Sequence, residues 1–281
     1  DGATKKNLRW LPDGNSLSYI SGKCIQTVAL GGEPVTVTCF NNAEYVDAFE
    51  VSPDSKQVAI SVDRLLYIEP YDLERLKSVD SHPDLEAMAD CPDLAPYQRN
   101  AAVGARWSPD SKNMAVIAIG VLTGGRRGDM IQIIAVDRCI ANPSVQLQFP
   151  QPHFTFSEYE HNATLTSFTW DGAGLSVLTG LTRKDGFGEM HIFNHESYKA
   201  DLSINPVNGS CCYRDTQFSP DGKFLLFAFQ DMTLGPNAVT RVYYIPFGTI
   251  GTGTKYDPLR MVEYTDLSEL PQLTLRPAAI P

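Results

Sequence analysis

Arg126 and Arg127 stand between Gly124-Gly125 and Gly128, and Arg183-Lys184 leads into a second glycine-containing corner. Guanidinium forks on such open backbone suit a carboxylate or a phosphate. His153 and His161 flank Glu158 and Glu160, but their spacing matches no known metal-ligand pattern, so we expect no metal. His82, Tyr97 and Tyr159 complete the candidates for contact with a partner, while His191 and His195 sit on or beside a strand, where a surface role is the default. No GxSxG, HExxH, phosphate-cradling loop or dinucleotide fingerprint occurs, so we expect neither a catalytic residue nor a cofactor. Ser, His and Asp are all present, but presence is not a triad.

These candidates must be held by a folded scaffold, and the composition supports one. Of 281 residues, 43% are hydrophobic and 20% charged, which excludes a disordered chain. The longest apolar run, 114–122, is about half of what a helical membrane span needs. A formal charge of −10 argues against a general nucleic-acid or anionic-membrane binder.

The organising feature is an internal repeat. Five segments superimpose: RWLPDGNSLSYIS (9–21), EVSPDSKQVAISV (50–62), RWSPDSKNMAVIA (106–118), FTWDGAGLSVLT (168–179) and QFSPDGKFLLFAF (217–229). Aligned on Asp13, Asp54, Asp110, Asp171 and Asp221, they recur every 41, 56, 61 and 50 residues. Each reads as strand, tight turn, strand. Pro presets φ, Asp bonds its own backbone, and Gly or Ser turns the corner. A carboxylate recurring at every turn is a structural residue. Further strand patterns follow each copy, giving about four strands per repeat, with blades near 5–42, 45–80, 101–150, 164–204 and 212–264 and a tail at 265–281. Only 84–90 suggests a helical turn.

Cys24 and Cys39 flank a Gly-Gly-Glu-Pro turn and can pair across strands. Cys91 is expected near the adjacent Cys211 and Cys212, with Cys139 apart from them. Asn162 and Asn208 open glycosylation sequons.

On these residues the chain resembles the TolB-type propeller repeats. Trp107-Ser108-Pro109-Asp110-Ser111-Lys112, Phe218-Ser219-Pro220-Asp221-Gly222-Lys223 and Gly31-Gly32-Glu33-Pro34 carry the likeness, which touches all five repeats. The resemblance implies an all-β propeller of four-stranded antiparallel blades forming one domain. It specifies fold and not function, because such blades serve as scaffolds and as gating domains of prolyl-oligopeptidase-like proteases. The fourth copy lacks the proline, and five repeats are fewer than the family's usual ring, so we expect a piece of a longer protein.

In a blade of strands a to d, the a–b and c–d turns share one end and the b–c and d–a connections the other. The a–b turns are tight, and the c–d turns are expected to be short apart from 247–258. Longer stretches at 120–129, 183–188, 231–238, 78–100 and 150–164 fall at the b–c/d–a end, where binding loops on a rigid scaffold belong. We therefore expect a non-catalytic scaffold binding a protein or polymer there, in an extracytoplasmic compartment. The rival reading is the gating propeller of a serine hydrolase whose catalytic domain lies outside this sequence.

Overall fold

The computed structural model describes residues 4–91, 104–121, 127–141, 153–155, 164–182, 186–194, 199–207, 212–235, 238–250, 252, 256–264 and 272–277. Five antiparallel sheets follow one another along the chain. The first runs β1 (Lys5–Trp10), β2 (Ser16–Ser21), β3 (Cys24–Ala29), β4 (Val35–Cys39), and the second β5 (Val46–Val51), β6 (Gln57–Val62), β7 (Leu65–Pro70). The third holds β8 (Gly104–Trp107), β9 (Asn113–Val121), β10 (Arg127–Ala135) and β11 (His153–Thr155). The fourth is β12 (Thr164–Trp170), β13 (Ser176–Thr182), β14 (Gly188–Asn194), β15 (Lys199–Ile204). The fifth is β16 (Tyr213–Phe218), β17 (Phe224–Gln230), β18 (Thr240–Pro246), β19 (Leu259–Tyr264).

The repeated turn works as an interlocking set of local bonds. In the second copy the Ser52 hydroxyl accepts the Gln57 N–H at 3.0 Å and donates to Asp54 Oδ1 at 2.7 Å, while Asp54 Oδ1 also accepts the Lys56 N–H. Ser108 with Asp110 and Ser219 with Asp221 repeat the pattern. Asp13 accepts the N–H groups of Asn15 and Ser16. The corner position has positive φ in every copy: Gly14, Ser55, Ser111, Gly174 and Gly222. The fourth copy differs from the sequence alignment. Asp171 donates its N–H to Ser176 O and accepts the Leu175 N–H on Oδ1, which is the role of Ser52 and not of Asp54. Without proline the copy slides by two residues, and Ala173 takes the aspartate's place.

The residues gather into two units. One comprises residues 1–119, 131–153 and 276–281, the other 120–130 and 154–275. In the first, β6 is buried on both faces, and its alternation sorts the side chains. Val58, Ile60 and Val62 join Ile20, Ile25 and Phe40 of the first sheet's cluster. Ala59 and Ala48 face the other way, toward Trp107 and Met114 of the third sheet, small against large. In the second unit Tyr213, Leu225, Phe227 and Phe229 pack with Leu178 and Met190.

Three expectations are corrected here. The second sheet has three strands among the described residues. α1 (Leu73–Leu76) and α2 (His82–Met88) follow β7, and the helical turn expected at 84–90 is α2, starting at His82. The connection from β10 to β11 is not short, since it contains α3 (Val136–Ala141), and β11 lies within 150–164, where a loop was expected. Finally, Cys91 is bonded to Cys139 and not to Cys211 or Cys212. After α2 the chain returns along β7, with the Asp90 N–H on Ile68 O, and this carries Cys91 into the apolar cluster that holds Cys139. Cys24 and Cys39 are opposed on β3 and β4 and joined, their Cα atoms 4.0 Å apart. Cys212 is also disulfide-bonded.

Candidate functional site

Among the expected contact residues, Arg126, Arg183, Lys184, Tyr97, Tyr159 and His161 lie outside the described residues, as do Cys211, His195 and the sequon residues Asn162 and Asn208. Arg127 opens β10 and His153 opens β11. His82 is described in full, at the b–c/d–a end of the second sheet.

That end is built around the two-residue turn Asp63-Arg64. Both residues have positive φ, as the twist of a tight hairpin requires. Asp63 Oδ1 accepts the N–H groups of Glu44 at 2.6 Å and Tyr45 at 2.7 Å, and Oδ2 lies 3.0 Å from His82 Nε2. The other ring nitrogen of His82, Nδ1, is 2.8 Å from the hydroxyl of buried Tyr67. His82 thus pins the first turn of α2 to the hairpin. Burial disfavours the Asp63 charge, but the bonds from His82 and the two backbone N–H groups outweigh it and hold the carboxyl below its usual range. Around this core Arg64 lies over the Tyr45 ring, Tyr45 donates its hydroxyl to Glu44, and Asp47 accepts the Arg64 N–H. Tyr45 remains 41% exposed. The arrangement presents an aromatic and both signs of charge on a braced surface. Among the described residues no group of His, Cys, Asp and Glu has the geometry of a metal site.

A second polar group escaped the sequence reading. Arg9, Glu50 and Arg106 stand on β1, β5 and β8, the first strands of three sheets. Arg9 Nε is 3.2 Å and Arg106 Nη1 3.4 Å from Glu50 Oε2. Each arginine also donates to the carbonyl of the residue before it, Leu8 or Ala105. The Asn7 amide donates to Phe49 O and the Trp107 indole N–H to Glu50 O, so side chains tie the three strands laterally. Burial raises the Glu50 carboxyl to about 7, against the pull of Arg9. The signal was available: each residue stands two places before the turn's first residue, and the same column continues with Thr169 and Gln217. Gln217 is used too, its amide donating to Leu273 O while its carbonyl oxygen accepts the Leu275 N–H.

No protein-family description matches the chain, and no curated protein matches it. Solved structures do. A protein described as TolB from Agrobacterium tumefaciens aligns with a TM-score of 0.62 at 15% identity, over 94% of this chain and 82% of its own. Hydrazine synthase of Kuenenia stuttgartiensis aligns at 0.56 and 16% identity over 85% of this chain; this chain spans only 62% of that one. A chain of the mitotic checkpoint complex aligns at 0.56 and 10% identity, over 95% and 80%. The protein has the all-β propeller fold of TolB-type structures.

Proposed function

We propose that this chain is a non-catalytic propeller module that binds a protein or polymer partner through the strand ends carrying its b–c and d–a connections. The observation that carries the reading is a difference between the two ends of the sheets. At the a–b end, turn carboxylates and serines spend their bonding capacity on their own backbone. At the other end nine residues separate Gln230 from Thr240, and the 33 residues between Pro70 and Gly104, which leave the second sheet at its a–b end, reach across to it where His82 meets Asp63. Braced supports such as Asp63-His82 hold that end in shape, and Arg126, Arg127, Arg183 and Lys184 supply cations that suit acidic groups of a partner. One similar structure belongs to a multi-protein assembly, which supports a protein partner. The disulfides Cys24–Cys39, across β3–β4, and Cys91–Cys139, from the segment after α2 to α3, support an extracytoplasmic compartment.

Cross-linking in the native extracytoplasmic fraction, followed by mass spectrometry, tests the reading. Arg126→Ala with Arg127→Ala, and Arg183→Ala with Lys184→Ala, should each reduce recovery of the partner by about fivefold or more. Lys56→Ala with Lys223→Ala, at the a–b turns, should leave it unchanged. Equal recovery from all three variants would place the contact elsewhere.

A further inference from the structure

We propose that the outer edge of the fifth sheet is a dimerisation surface, on which β19 (Leu259–Tyr264) pairs antiparallel with β19 of a second copy of this chain. This does not depend on the partner surface proposed above, since it uses the side of a strand and not the connections at the sheet ends.

β19 is the last strand of its sheet, so its outward row of N–H and C=O groups meets no further strand among the described residues. The outer strands of the first two sheets are covered: Val79 O accepts the hydroxyl of Thr38 on β4, and the Asp90 N–H reaches Ile68 O on β7. All six residues of β19 are exposed, with Leu259, Met261, Val262 and Tyr264 between 41% and 54% open to solvent. An apolar strand edge left open in this way is a template for another strand.

The side chains select the occupant. Against β18, Thr240, Val242 and Tyr244 oppose Tyr264, Val262 and Leu259, while Arg241 and Tyr243 oppose Glu263 and Arg260, with the register stepping at Met261. The step puts Arg260 and Glu263 on one face and Leu259, Val262 and Tyr264 on the other. A two-fold axis through the sheet between Met261 and Val262 therefore sets Arg260 opposite the partner's Glu263 and Leu259 opposite the partner's Tyr264, each pair on a matching face. Both recorded bonds to the Glu263 carboxylate, from Arg241 Nε at 2.6 Å and Arg260 Nη1 at 3.0 Å, fall on Oε2, which leaves Oε1 to the partner's arginine. A bulge and charges ordinarily turn foreign strands away from an edge. Here they are symmetric about the axis, so the same devices fit a second copy. Six residues bury well under the roughly 1,200 Å² of a standard interface, so the dimer is weak and depends on concentration.

Sedimentation velocity on the full chain from about 10 μM to about 1 mM should show a monomer passing to a dimer. Arg260→Glu and Glu263→Arg each set like charges opposite one another twice and should weaken dimerisation about tenfold or more. An equimolar mixture of the two variants restores both opposite-charge pairs and should dimerise nearly as well as the parent. Amide hydrogen exchange on the parent needs no variant: protection of β19 should rise with concentration while that of β4 and β7 stays constant. A monomer throughout the range overturns the proposal. If the β19 amides are protected in that monomer, a segment of this chain holds the edge; if they are open, the edge is left to a strand of another protein. A dimer whose β19 amides gain no protection overturns this edge as the interface. One that protects β19 yet ignores both charge variants overturns the antiparallel register.

Discussion

The corner of the repeated turn sets a clean test at a single position. Ser55 holds φ near 59°, a conformation that costs an L-residue roughly 1–2 kcal/mol, where Gly14, Gly174 and Gly222 occupy the same place freely. Ser55→Gly should therefore stabilise the protein by about 0.5–1 kcal/mol in denaturant unfolding, after the loss of chain entropy that glycine brings. Ser111→Gly should gain less, because the Ser111 hydroxyl oxygen accepts the Asp54 N–H at 3.1 Å and that bond would go. At this scale the sequence is transparent where chemistry is local. Pro, Asp and Gly within five residues announce the turn. It is opaque where a side chain answers to a distant one: His82 finds Asp63 and Tyr67 only after α2 folds back, and Glu50 meets Arg9 and Arg106 from repeats about forty and fifty-six residues away.

Among the elements, β13 approaches β12 and β16 closely at Gly180. A Cβ on Gly180 would come within 2.8 Å of Tyr213 O and of Thr166 Oγ1, and within 2.9 Å of Ser167 Oγ. Tyr213 O already accepts the Thr166 hydroxyl, so neither strand can retreat without breaking a bond. Gly180→Ala should cost about 1–3 kcal/mol and lower the thermal midpoint by several degrees, with no effect on the turns at either end of β13. Most strands were legible from alternating apolar residues next to each turn. The exceptions share a cause. α1 and α2 stand where a fourth strand was expected, and they are short segments whose burial of Leu76 and Leu85 against the first two sheets comes from packing and not from any long helical period. The slide of the fourth turn follows from Asp171 serving as well as serine at the turn's first position, so that the letter aspartate misled the alignment.

For the molecule as a whole, two sets of carboxyls pull stability in opposite directions with pH. Burial opposes ionisation of Asp54 and Asp110, yet hydrogen bonds from Ser52, Ser108 and backbone N–H groups hold both low; at Asp221 the Ser219 hydroxyl is the leading cause. Their contribution is present above the unfolded value of 3.8 and is lost as pH falls through the lower folded values. Glu50 has the opposite sign: its folded value is about 7 against 4.5 unfolded, so stability falls as pH rises between those two points, by of the order of 3 kcal/mol. Thermal midpoints measured from pH 3 to 8 should decline across that upper window, and Glu50→Gln should flatten the decline while leaving the acid limb in place. An unchanged decline in the variant would assign it to other groups. The bond between Cys91 and Cys139 has a consequence of its own for covalent continuity. It makes one closed loop of everything from the end of the second repeat to the helix after β10. A single peptide cleavage anywhere on that loop releases nothing: both products travel as one particle until a thiol reagent parts them.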